Sequence, residues 1–263
     1  MPSSTLTTTK TTTTTPQHEL GDLLRYWRQQ RSKSQLDLSL DSGVSQRHIS
    51  FVESGRSVPS RELLLTLSQT LDIPLRERNV LLLASGYAPI YSDSSWDAPE
   101  MGPVTKAIDR VLTQQEPYPA LLMDRYWYVL KTNEAALRFF GSFVDLSLRP
   151  KPRNLLHLMF DPDGMRPFIE DWEEVASGLL QRVHRETIGH VADIKTIELL
   201  NDLKKYPGAK ELGAVRQSQG PVLPVTFVKG NERWPYFSLI STVGTPQCVP
   251  AQELRIECMF PVD

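Results

Sequence analysis

Cysteine is nearly absent: Cys248 and Cys258 are the only two in 263 residues. They do not form a CxxC pair, so neither a disulfide framework nor a thiolate metal site is expected. The two are expected on neighbouring strands, in a protein kept in the reducing cytoplasm. No apolar run approaches the ~18 residues of a membrane-crossing helix, so membrane insertion is excluded. The amino end lacks the basic start and apolar block of a secretory signal. Catalytic signatures are missing too, with no GxSxG elbow, HExxH, Walker loop or GxGxxG. His184 and His190 stand at the wrong offset to share a helix face. The acidic residues Asp161, Asp163, Glu170, Asp171, Glu173 and Glu174 lack the spacing of an EF-hand. No catalytic residue, metal or cofactor is expected, and the chain reads as not an enzyme.

Excess charge of one sign is also lacking. The net charge is -2, which offers little of the phosphate neutralisation that drives non-specific binding to DNA. The sum hides a mild asymmetry, because residues 17–90 carry nine Lys or Arg against eight Asp or Glu. Forty per cent hydrophobic and 23% charged residues are those of a globular chain, and the length allows at most two domains.

What is present centres on Ser34 to Glu53, SQLDLSLDSGVSQRHISFVE. Gly43 stands where one short helix stops and another begins, and Ser45 is a good N-cap for the second. Gln46 and Arg47 project from its first turn, while Ile49 and Val52 fall at core-facing spacing. Gln can pair with adenine and Arg with guanine in bidentate fashion, which suits a reading helix in the major groove. A plain helical hairpin fits the same residues. Leu36, Leu38 and Leu40, alternating with polar residues, even fit a half-buried strand.

The combination of Leu24, Arg28, Gln35, Leu38, Gly43, Val44, Ser45, Gln46, Ile49, Glu53, Gly55 and Pro59 resembles the XRE family of helix-turn-helix repressors over residues 18–85. The resemblance implies that Gln35 opens the second helix and bonds a phosphate. It implies that Ser45, Gln46, Arg47 and Ser50 form the reading face, with the loop carrying Arg56 along the DNA backbone. It also implies an Arg28–Glu53 ion pair. The partner is then a double-stranded DNA operator, and a homodimer is expected because one head reads only a short half-site.

Around this element, residues 1–16 form a threonine-rich tail expected to be disordered. Residues 17–86 read as five short helices with an amphipathic first helix over His18–Arg31, and residues 87–103 as a linker tied down by Tyr87, Tyr91 and Trp96. Beyond it, helix Val104–Gln115 precedes two short strands in PALLMD and WYVLKT. Helices follow over EAALRFFG (capped by Asn133 and closed by Gly141), Asn154–Phe160, Met165–Ile188 and Ile194–Lys204. Strands return at PVTFVKG, YFSLISTVG and LRIECMF. The fold class is an all-α five-helix DNA-binding head followed by an α+β PAS-like domain, residues 104–263, with an antiparallel sheet.

The stretches EPYPALLMDRYWYVLKTNEAA, NLLHLMFDPDGMRPFIEDWEEVA and GTPQCVPAQELRIECMFPVD are similar to the ligand-binding domain of MmyB-like transcription regulators. That resemblance implies a small apolar ligand, with a fatty acid as the best precedent. Trp127, Phe139, Phe140, Leu156, Met159, Phe160, Phe168 and Trp172 are expected on the sheet's inner face, either lining a pocket or simply filling a core. His157, where the family commonly has arginine, and Arg166 are the expected carboxylate anchors. The alternative is a module that only dimerises or binds a partner protein.

Overall fold

A computed structural model of the chain describes residues 16–188, 193–212, 222 and 224–262. Of the expected tail, residues 1–16, all but Pro16, which opens the first helix, lie outside the described residues, as does His190. The chain divides into two compact units, Met1–Ile90 and Tyr91–Asp263.

The first unit is built of α1 (Pro16–Gln30), α2 (Gln35–Ser42), α3 (Gln46–Glu53), α4 (Arg61–Thr70) and α5 (Leu75–Ala84). Caps fix their boundaries. Ser34 and Asp37 make a reciprocal capping box on α2, and the Ser45 and Ser60 hydroxyls accept from the backbone N–H of His48 and Leu63. Gly43 ends α2 in the left-handed region, φ 70°. The strand reading of the leucines is overturned: Leu38 is fully buried in a helix while Leu36 and Leu40 are exposed. Leu20, Leu24, Trp27, Ile49, Val52 and Leu64 complete a dry core. Tyr87 closes this unit by donating to the Pro59 carbonyl at 3.0 Å.

Early in the second unit Trp96 packs against the apolar cluster that includes Met101 and Ile108, ahead of α6 (Gly102–Gln114). Its sheet holds β1 (Ala120–Met123), β2 (Val129–Thr132), β3 (Val225–Lys229), β4 (Glu232–Ser241) and β5 (Arg255–Pro261). The order is β2-β1-β5-β4-β3, and every neighbouring pair is antiparallel. Two hairpins thus flank a central β5, a PAS-like sheet. Between β2 and β3 the chain forms α7 (Glu134–Phe143), α8 (Leu155–Phe160), α9 (Trp172–Ile188) and α10 (Ile194–Leu203), and α11 (Val249–Glu253) precedes β5. One face of the sheet packs on α7 to α10, and the other on α6 and α11.

Several boundaries depart from the sequence expectations. The helix expected to close at Gly141 runs on to Phe143, whose ring meets Phe139, Phe168 and Trp234. That burial outweighs the ~1 kcal/mol cost of a helical glycine. The expected Met165–Ile188 helix is broken, because Ile169 bridges Phe227 and the Glu170 N–H donates to Thr226 of β3. β4 starts before Tyr236 and passes through Pro235, whose carbonyl still accepts from Val262. Cys248 lies not on a strand but ahead of α11, against Met101.

Candidate DNA-reading helix and ligand cavity

In the first unit, three elements converge on Glu53. Its carboxylate accepts a bidentate pair from Arg28, at 2.6 and 2.9 Å, and a hydrogen bond from the Gln35 amide at 2.9 Å. The Glu53 side chain is 1% exposed. Burial acts to raise its carboxyl, but the hydrogen bonds from Arg28 and Gln35 and the charges of Arg28 and Arg25 prevail and hold it below the ordinary glutamate range. Gly21 makes the convergence possible. A Cβ there would lie 2.5 Å from the Glu53 backbone oxygen, so α1 and α3 approach more closely than any side chain allows.

This clamp fixes the pose of α3. Ser45, Gln46 and Arg47 are exposed at its amino end and Ser50 is half-buried one turn on, while Ile49 and Val52 are buried. Gln35 is the first residue of α2. Its amide is turned onto Glu53 and retains a second N–H donor.

Phe51 was not singled out from the sequence. Its ring lies under the guanidinium groups of both Arg47 and Arg56, at 5.2 and 6.0 Å. Its carbonyl accepts from the backbone N–H of Arg56 at 2.8 Å and of Ser57 at 3.2 Å. One residue therefore ties the loop after α3 and seats both arginines. An aromatic four residues after Arg47 on a helix was the available signal.

In the second unit, an apolar cavity of about 50 Å³ lies between the sheet and the helices. Trp127, Phe140, Leu156 and Met159 line it, joined by Leu179, Phe227 and Met259. Trp127 is positioned by a turn in which Asp124 Oδ1 accepts the N–H groups of Tyr126 and Tyr128. The Leu155 N–H donates to the Trp127 carbonyl, which ties α8 to that turn. Trp127 itself has φ 67°, a left-handed conformation that costs a bulky residue about 1–3 kcal/mol. Arg125 beside it is buried, with Asp193 at 2.6 Å and Glu253 at 2.9 Å.

Four of the residues expected to line a pocket or fill a core, and both expected anchors, do not line this cavity. Phe160 and Trp172 are buried core partners, with ring centroids 5.6 Å apart. Phe139 and Phe168 belong to the aromatic cluster around Phe143. Arg166 stacks on Trp172 at 3.7 Å and donates to the Pro207 carbonyl. His157 faces a separate polar cleft with Asp124, Lys195 and Asp202, its Nδ1 3.0 Å from the Tyr206 hydroxyl. Burial lowers the His157 imidazole from its ordinary value against the pull of Asp202 and Asp161. The four aromatic residues were expected on an inner face, which does not separate core from cavity wall, and His157 and Arg166 were placed near a ligand on the strength of the resemblance.

The cavity wall holds polar groups that the sequence reading passed over. Glu257 and Ser238 line it. Behind them, Arg182 lies 4.2 Å over the Trp127 ring and 3.5 Å from Glu257. Alternation along β5 puts Glu257 on the same face as Met259, a signal legible only once that face is known to be inner.

Comparison with known families matches residues 24–78 to a helix-turn-helix family and residues 104–263 to the MmyB-like transcription regulator ligand binding domain. No curated protein matches the chain. Among the described residues no helix is long and apolar enough to cross a membrane. The chain belongs to the MmyB-like transcription regulators, carrying a DNA-binding helix-turn-helix ahead of a ligand-binding domain.

Proposed function

We propose that this regulator binds its operator as a cytoplasmic homodimer and releases or grips it in response to a molecule with a long apolar chain. Fatty acids are the class the resemblance implies. Gln46 and Arg47 read base edges, with Ser45 and Ser50 beside them, while Gln35 and Arg56 hold phosphates. The observation that carries the ligand half of this reading is the cavity. Its walls are mostly apolar and aromatic, but at about 50 Å³ it is far below the roughly 300–1,000 Å³ of ordinary ligand pockets. A chain therefore enters only by displacing side chains such as Met159 and Leu179. Such remodelling gives the ligand a differential affinity for two states of the domain, the requirement for a switch. Each methylene buried contributes about 0.8 kcal/mol, so affinity should rise with chain length until the space is filled.

The DNA half is tested by substitution. Gln46→Ala and Arg47→Ala should each cost about 1–3 kcal/mol at a sequence selected from a random pool, and leave random DNA little affected. Arg56→Ala should weaken both alike and flatten the salt dependence. Equal losses on selected and random DNA would remove Gln46 and Arg47 from the reading face. Phe51→Leu, which leaves both arginines in place but unseated, should weaken selected-site binding while Phe51→Tyr preserves it.

A further inference from the structure

The apolar cavity has one polar fault. Glu257 sits on its wall, and the Oε2 atom is buried yet accepts no hydrogen bond among the described residues. Arg182, 3.5 Å from that oxygen, balances its charge without satisfying its lone pairs. A buried acceptor left in this state carries a free-energy cost that an incoming donor relieves. Ser238, exposed on the neighbouring strand, shares this wall, so the polar groups lie where the cavity meets the surface. Trp127, Leu156 and Phe227 supply its apolar remainder.

We propose that the polar end of the ligand is an uncharged hydrogen-bond donor, a long-chain alcohol in the simplest case, received by Glu257. A hydroxyl gives its proton to Oε2 in a charge-assisted hydrogen bond and leaves the Arg182–Glu257 pair intact. A fatty carboxylate at the same place has no proton to give and sets two like charges together. An alkylammonium donates, but brings a second cation to an oxygen that Arg182 already faces. The assignment rests on the reading of this cavity as the site of the ligand's chain, and narrows only its head group.

The test is calorimetric titration of the full-length protein at neutral pH with dodecanol, dodecanoate and dodecylamine, which share one chain. Dodecanol should bind about tenfold more tightly than either ion, the scale of one hydrogen bond to a charged group. Glu257→Gln should shrink that preference, because the amide removes the charge and can donate to a carboxylate. Dodecanoate binding as well as dodecanol to the wild type overturns the assignment while leaving the chain site standing, and so does a preference that survives in Glu257→Gln. If none of the three binds, the reading of the cavity falls and the head-group assignment falls with it.

Discussion

Glu53→Gln is expected to destabilise the helix-turn-helix unit by about 3 kcal/mol, the low end for breaking a buried ion pair by removing one partner. The amide's one oxygen can keep the two donors that share Oε2, from Arg28 and Gln35, but its NH2 group then faces the Arg28 Nε–H in place of an acceptor, and the guanidinium charge is stranded. For a unit of this size that is a fall in melting temperature of more than about 10 °C. The pH dependence has a definite sign. Glu53 is held below its ordinary value, so its stabilisation is complete above the unfolded value, near 4.3, and is lost as pH falls through the lower folded one. The gap between wild type and variant should therefore be largest at neutral pH and narrow in acid. Melting curves of residues 16–90 that superimpose at neutral pH would show that the pair contributes nothing.

Gly21→Ala should be comparably severe, though it adds only a methyl group. On an exposed helical surface this change stabilises by about 1 kcal/mol. Here the new Cβ would stand 2.5 Å from the Glu53 oxygen and 3.0 Å from the Val52 oxygen, both backbone atoms that no rotamer change can move. Helices α1 and α3 must part, at an overpacking cost of about 1–3 kcal/mol or more. Parting them also stretches the Arg25 hydrogen bond to the Glu53 carbonyl, 2.8 Å, and the Arg28 pair. Because α3 carries Gln46 and Arg47, selected-site binding should fall in those Gly21→Ala molecules that remain folded. A variant as stable as wild type would mean that the two helices separate at little cost.

The head was more legible in the sequence than the sensor, for physical reasons. Caps, a left-handed glycine and a 3.6-residue period are local, so Gly43, Ser45 and Ser60 mark helix ends directly. The Arg28–Glu53 pair spans 25 residues and came from resemblance rather than spacing, and Gly21 gave no signal until its neighbour was seen. In the second unit the strands of the two hairpins were readable from short apolar runs, but long-range pairing decided the rest. Ile169 and Glu170 leave an otherwise helical pattern because β3 pairs with them. Phe139, Phe160, Phe168 and Trp172 sit on inward faces, and an inward face does not separate core from cavity wall. Glu257 and Arg182 look like ordinary surface charges until strand register and the Trp127 turn bring them together.

The most direct test of ligand-controlled DNA binding is fluorescence anisotropy of the full-length protein on a sequence selected from a random pool, titrated with acids and alcohols of increasing chain length. Coupling must be reciprocal, so any ligand that changes DNA affinity must have its own affinity changed by the same factor when DNA is bound. The expected result is a shift in DNA affinity that grows with chain length and is matched by that reciprocal factor. Ligands that bind across the series while DNA affinity stays flat would contradict it.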